Sequence, residues 1–311
     1  MLTAEALKRK IQSADDLLGV VKTMKALAAV SIRQYQRAVE SLNDYNATVE
    51  AALQIVLMRG RGRVEAVSKQ RRLGVLVFGT DQGLCGQFNQ IVGLWALKEI
   101  GLSGFPPERR IVFAVGRRVA DILEDGGQEV AEVLDTPGST AGITSMVQDI
   151  TFVLEEWRFR HTVEEMCLYY NEYISGATYH PRTMRLLPLD RQWLESLRKR
   201  PWDSKTIPTF TMDWERIFRT LVREYLFVSI YRAFAHSLAS ENASRLAAMQ
   251  NAEKNIEERL EELGVQFHRQ RQMTITEELL DIVAGFEAMK EERAAPAGRR
   301  RKRQVPAGER G

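Results

Sequence analysis

The segment Gly79-Thr80-Asp81-Gln82-Gly83-Leu84-Cys85-Gly86 is the stretch whose residue types and position suggest chemistry. It follows an apolar run that reads as a strand, Leu73 to Phe78, and precedes a helical one, Gln87 to Ile100. A glycine-rich strand-to-helix turn is where backbone N–H groups and a helix N-terminus can gather around a phosphate. The spacing fits neither common phosphate motif: no two glycines stand as G-x-G, and no Lys-Ser/Thr follows. Two readings stay open, a nucleotide-binding enzyme built on the surrounding domain, or glycines that permit a tight turn and close helix–sheet packing. Other reactive groups form no constellation. His161, His180, His236 and His268 are isolated, and Cys85 and Cys167 lack metal-ligand or redox spacing. Glu257, Glu258, Glu261 and Glu262 read as a solvated helical face. No catalytic residue, metal or cofactor is expected.

Composition narrows the class. In 311 residues with 44% apolar content, no window approaches the ~18 apolar residues of a membrane span. Met1 to Lys10 has no apolar core behind its charges, so neither a signal peptide nor an anchor is expected. The formal charge of +3 hints at nucleic acid until it is divided along the chain. Residues 291–311 hold seven Lys/Arg and three Glu, or +4, which leaves −1 for residues 1–290. The run Arg299-Arg300-Arg301-Lys302-Arg303 belongs to a Pro/Gly/Ala-rich tail that cannot build a core, and no direct nucleic-acid partner is expected.

The elements that would carry these residues are written in the periodicity. Apolar residues step by four and three through Leu7, Ile11, Ala14, Leu18, Val21, Ala28, Ile32, Tyr35, Val39, Leu42, Val49, Leu53 and Val56, with Lys25 and Asn46 as polar members. A 3.5-residue repeat sustained so long predicts a helix supercoiled about a partner. From Ala4 to Met58 it would extend roughly 80 Å. A second proline-free stretch, Met212 to Met289, carries three blocks out of phase: Trp214 to Leu238, Ile256 to Phe267, and Ile275 to Met289. Each stripe needs a partner, and the simplest arrangement folds the terminal helices into an antiparallel pair. Between Arg71 and Leu189, short apolar runs at Leu73–Phe78, Ile111–Val115, Glu165–Ile174 and Met184–Leu189 alternate with helical stretches, which predicts an inserted, parallel-rich α/β domain. The expected organisation is a helix over 1–63, a central domain with linkers over 64–208, a helix over 209–290 and a basic tail over 291–311. The charged, proline-containing stretch Arg191 to Pro208 reads as a linker.

Four stretches then carry a family resemblance. Val20 to Ser31 is similar to I-T-K-A-M-x-M-V-A-A-S-K, and Thr80-Asp81-Gln82-Gly83-Leu84-Cys85-Gly86 to T/S-D-R/Q-G-L-C-G. Ala239 to Met249 is similar to A-S-E-x-x-A-R-M-x-A-M, and Arg271 to Leu279 to R-Q-x-x-I-T-x-E-L. In this order they resemble the gamma subunit of F-type ATP synthases over the whole chain except the tail. Lys25, Val30, the Glu-rich run Asn251 to Leu263 and the tail depart from the family pattern and point toward an alternative bacterial rotary ATPase.

The resemblance implies a long antiparallel two-helix coiled coil from the N- and C-terminal segments with an inserted Rossmann-like α/β domain. It also implies a rotor shaft inside an alpha3beta3 ring of F1 alpha and beta subunits, bound to the epsilon subunit and seated on the membrane c-ring. Catalysis would reside on beta, and the chain would be peripheral to the cytoplasmic face of a bacterial inner membrane. Carried over by position, Arg271, Gln272, Thr276, Glu278, Lys22 and Met24 would contact beta, and Ile275, Leu279, Ile282, Val283 and Phe286 would form the tip that turns in the bearing. Glu241 and Arg245, four apart, read as a surface ion pair.

Overall fold

The computed structural model describes residues 3–60, 72–202 and 204–294. Arg61 to Arg63 and the basic run of the tail lie outside the described residues. The chain forms two compact units, Val20–Lys254 and Met1–Gly19 with Asn255–Gly311.

The N-terminal stripe is carried by two helices, α1 (Ala4–Ser41) and α2 (Asn43–Arg59). A single turn residue parts them: the Leu42 N–H bonds to Val39 O at 3.3 Å, an i−3 pairing, before the Asn46 N–H returns to Leu42 O at 2.8 Å. The expected unbroken helix is therefore interrupted once, where the tighter pairing locally replaces the i−4 ladder. All fifteen stripe positions are buried or half-buried. The C-terminal helix α7 (Trp214–Ala294) has 81 residues, and Asp213 caps it by accepting the N–H groups of Glu215 at 3.1 Å and Arg216 at 3.3 Å.

Within the larger unit the helices run antiparallel. Lys25 pairs with Glu253, Tyr45 donates to Glu224 at 2.7 Å, and Trp214 Nε1 donates to Val56 O at 3.0 Å. One residue number falls as its partner's rises. The inserted domain holds a five-stranded sheet in the order β3-β2-β1-β4-β5, from β1 (Arg72–Phe78), β2 (Arg110–Val115), β3 (Glu132–Leu134), β4 (Val163–Ser175) and β5 (Thr178–Leu187). Neighbours are parallel except β5, which runs antiparallel to β4. Central β1 is buried from Leu73 to Phe78, which is why it reads as an uninterrupted apolar run. Leu73, Val75 and Val77 face α3 (Phe88–Leu102) and α4 (Arg117–Asp125). Leu76 and Phe78 face α5 (Thr140–Arg160) and the middle of α7, where Phe234 meets Phe78 with ring centroids 4.6 Å apart.

The stretch read as a charged linker is partly helical. Asp190 accepts the Gln192 N–H at 2.9 Å and starts α6 (Arg191–Lys199). Leu197 packs with Val49, Leu53 and Val222, and Trp193 lies 4.6 Å from the Tyr225 ring. Two apolar residues one turn apart give this otherwise polar segment a face to bury.

In the smaller unit, the Thr3 hydroxyl accepts the Ala6 N–H at 3.3 Å and opens α1. Leu7 and Leu18 are buried there. On α7, Ile256, Leu260, Leu263, Phe267, Gln270 and Thr274 are covered in steps of four and three. From Ile275 to Lys290 every described side chain is exposed.

Candidate functional site

The 79–86 loop sits at the carboxyl end of β1, between β2 and β4. In open α/β sheets this is the place where ligands bind. Here α7 takes it. Ser244 Oγ donates to Cys85 O at 2.6 Å, and Ser240 Oγ donates to Asn171 O on β4 at 3.0 Å. The Asn171 amide donates to Phe88 O at 3.1 Å, and the Tyr179 hydroxyl reaches Ser244 Oγ at 3.1 Å. Gly86 has φ +56°, and a Cβ there would lie 3.2 Å from Ser244 Oγ. Glycine serves both the turn and the close approach. The loop also closes on itself: the Thr80 N–H donates to Asn89 Oδ1 at 2.9 Å, and the Asn89 amide returns to Thr80 Oγ1 at 2.8 Å. Of the two readings of this loop, the geometry fits the tight turn, because its polar groups bind the protein's own backbone.

Asp81 ties the loop to its neighbours. Its carboxylate accepts the Arg117 N–H at 2.8 Å, the Thr136 N–H at 2.5 Å and the Thr136 hydroxyl at 2.8 Å. Burial pushes this carboxyl up, but the hydrogen bonds and the Arg117 charge outweigh it and hold the group below the usual aspartate range. A depressed folded pKa means that the stabilisation is fully present above the unfolded value of about 4 and is lost as pH falls through the folded value. Asp81→Asn is therefore expected to lower stability at pH 7, with the gap from wild type narrowing below about pH 4. Urea titrations across pH test this; a gap that stays constant down the acid limb would contradict it.

On α7 the run from Ala233 to Ser244 is covered on nearly every side, and most of its own residues are small, which admits the sheet and loop closely. Glu241 and Arg245 lie in and beside this run. Their contact, Arg245 Nη2 to Glu241 Oε1 at 2.7 Å, leaves side chains only 10% and 11% exposed, so the expected surface pair is an interior one. Burial raises the Glu241 carboxyl pKa, Arg245 opposes that, and the Asp81 charge adds to it. The Tyr35 hydroxyl is pushed up by burial first and by Glu241 second. Tyr35 on α1, the loop and α7 thus share one electrostatic environment. Sequence reasoning missed Ser240, Ser244, Asn171, Thr136 and Tyr35 as parts of this joint. The available signal was the small-residue run Ala239 to Ser244 in an otherwise amphipathic helix.

The residues singled out as contacts lie elsewhere. On α1, Lys22 is exposed and Met24 half-buried. On α7, Arg271, Gln272, Thr276 and Glu278 are all exposed, and the Thr276 hydroxyl donates back to Gln272 O at 2.9 Å. Gln272 and Thr276 stand one turn apart, and Arg271 and Glu278 two turns apart. Ile275, Leu279, Ile282, Val283 and Phe286 are exposed by 46–68%, with Leu280 and Met289 beside them. Leu84 was not anticipated: it has φ +62° and is 63% exposed. Among the described residues no helix is long and apolar enough to cross a membrane.

A family model described as ATP synthase matches residues 3–289. The ATP synthase gamma chain of Buchnera aphidicola subsp. Diuraphis noxia is 23% identical over 298 residues, covering 93% of this chain and 99% of its own length. That of Desulforamulus reducens is 25% identical over 296 residues, covering 93% and 100%. Solved structures share the fold. A chain from the central stalk and c-ring of Tetrahymena thermophila mitochondrial ATP synthase matches at TM-score 0.55 and 19% identity, covering 75% of this chain and 99% of its own. One from the OSCP/F1/c-ring assembly of the Euglena gracilis mitochondrial enzyme matches at 0.64 and 17%, covering 97% and 99%. With the inserted sheet, the polar joint and all but the last five residues of α7 inside the matched span, the chain belongs to the ATP synthase gamma-chain family.

Proposed function

We infer that this chain is the central rotor shaft of a rotary ATP synthase, a non-catalytic part that couples rotation of a membrane c-ring to the nucleotide states of beta subunits in an alpha3beta3 ring. The observation that carries the reading is the end of α7. Seven large apolar side chains between Ile275 and Met289 stand in the open on a helix, and a contiguous apolar surface of this kind is normally buried against a partner. A sleeve formed by the ring supplies such a partner and leaves the shaft free to turn. The chain would be peripheral, on the cytoplasmic face of a bacterial inner membrane, with an epsilon subunit bound near its foot.

Arg271, Gln272, Thr276 and Glu278 supply exposed polar groups next to that apolar end, suited to charge-assisted hydrogen bonds with beta loops. Lys22 and Met24 are the matching candidates on the larger unit. The reading stands or falls on co-purification from native cells: tagged chain should bring down alpha and beta subunits, and their absence would refute it. Within the assembled complex, Arg271→Ala with Gln272→Ala is expected to lower ATP turnover about tenfold while assembly is kept, the size of one or two lost charge-assisted hydrogen bonds. Unchanged turnover would remove these residues from the contact.

A further inference from the structure

Lys25 is the only charged residue among the fifteen stripe positions of α1 and α2. Its ammonium pairs with Glu253 on α7, and the two side chains are 34% and 16% exposed. An ion pair stands here where the seam otherwise packs apolar residues such as Val21 and Ala28. We propose that Lys25 and Glu253 are positioning residues: their pair fixes the register and rotation of α1 against α7, and so sets the direction in which the outer face of α1 is presented. That face carries Val20 and Leu27, exposed by 55% and 62%, and half-buried Met24. Its use as a beta contact rests on the shaft reading above.

The physical reason is that apolar seams tolerate slippage and charged ones do not. Leucine, valine and alanine positions are nearly interchangeable when an antiparallel pair slides by one turn. With Lys25 and Glu253 in the seam, such a slide sets Glu253 against Val21 or Ala28, and in one direction Lys25 against Met249, all buried positions. Glu253, the more buried of the two charges, would then face an apolar position in either direction, and parting it from Lys25 costs more than the pair itself is stabilising. A polar seam residue selects one alignment by this penalty against the others. Lys25 is one residue from Met24 and three from Lys22, so a rotation of α1 that broke the pair would also turn both away.

The test uses the charge swap. Bio-orthogonal spin labels at exposed Ala26 and Gln250 in the full-length chain leave Cys85 and Cys167 untouched. Wild type is expected to give one narrow distance. Lys25→Glu should widen the distribution about twofold, and Lys25→Glu with Glu253→Lys should restore it, the reciprocal coupling expected of contacting charges. Glu253→Gln, which keeps the shape, should shift it in the same direction by less. In the assembled complex Lys25→Glu should lower ATP turnover roughly fivefold, and the swap should return it to within about twofold of wild type. A wild-type distance distribution in Lys25→Glu, or a swap that fails to restore it, overturns the proposal. Wild-type chain that recovers no alpha or beta subunits refutes the shaft reading instead, and the distance measurement still decides the role of the pair.

Discussion

Phe234→Ala is expected to destabilise the larger unit by about 3–5 kcal/mol, the range for deleting a fully buried aromatic ring without refilling the space. Phe234 is 0% exposed, and its ring centroid lies 4.6 Å from that of Phe78, itself 0% exposed at the end of β1. The same core holds Tyr35 of α1, Leu76 of β1 and Ile230 of α7. Phe234 is therefore the largest of the α7 side chains fully buried against the sheet. The cavity would border strand, helix and helix together, and none of the three can close it alone. Chemical denaturation followed by circular dichroism measures the loss. The control is Phe152→Ala, a ring 65% exposed on α5, expected to stay within about 0.5 kcal/mol of wild type. Equal effects from the two would show that α7 does not share the core of the domain.

The parts of this fold that were legible in the sequence are those whose signal is a period. The stripe from Leu7 to Val56 runs through covered positions throughout because a seam facing one partner needs apolar residues every 3.5 positions. Strands β1 and β2 begin one residue from where they were expected, since a central parallel strand buries both faces and leaves an unbroken apolar run. Edge strand β5 was half seen. It begins at Thr178, six residues before the expected Met184, because its first half carries His180, Pro181 and Arg182, which pair with β4 by backbone register without an apolar pattern. The helix α6 hid for a related reason: its covered face is only Trp193, Leu194 and Leu197.

The polar joint was not legible, because nothing local marks it. Ser244 reaches Cys85 O from 159 residues away, and Asp81 reaches Thr136 from 55. A serine that caps a distant loop and one that faces water have the same sequence environment. Likewise the i, i+4 spacing of Glu241 and Arg245 is shared by surface pairs and interior ones; only the packing of Tyr35 and the 79–86 loop makes this one interior. The glycine-rich turn was recognised as special, and its two readings could be separated only by seeing that α7 occupies the crevice beside it. The exposed apolar end of α7 posed the opposite problem. Its period was visible, but whether the partner lay in this chain was not: Ile256 to Phe267 are covered within the smaller unit, whereas Ile275 to Met289 are not.

Gly116→Ala is the second substitution expected to have a large effect, and it tests how the loop is held. Gly116 has φ +101°, a backbone conformation that L side chains rarely adopt, and an added Cβ would lie 2.5 Å from the Thr80 N and 2.8 Å from its Cα. Those are backbone atoms, so no side-chain rotation relieves the clash. The Gly116 N–H donates to Leu134 O at 2.7 Å and the Arg118 N–H to Thr80 O at 3.0 Å, which pins both sides of the contact. The loop must move, and with it Cys85 O and its bond to Ser244. The expected loss is about 3 kcal/mol or more, from the combined strain and displaced hydrogen bonds. A second readout follows from the thiol. Burial leaves Cys85 2% exposed and pushes its pKa up, so it should resist alkylation in wild type. In Gly116→Ala it should react under native conditions before global unfolding. Gly101→Ala, in α3 with nothing within 4 Å of its added Cβ, should instead stabilise by up to about 1 kcal/mol through helix propensity. Opposite signs at two glycines distinguish a backbone held against its neighbour from a replaceable one; if Gly116→Ala kept both wild-type stability and an inert Cys85, the β1–α4 contact could not be what fixes the loop.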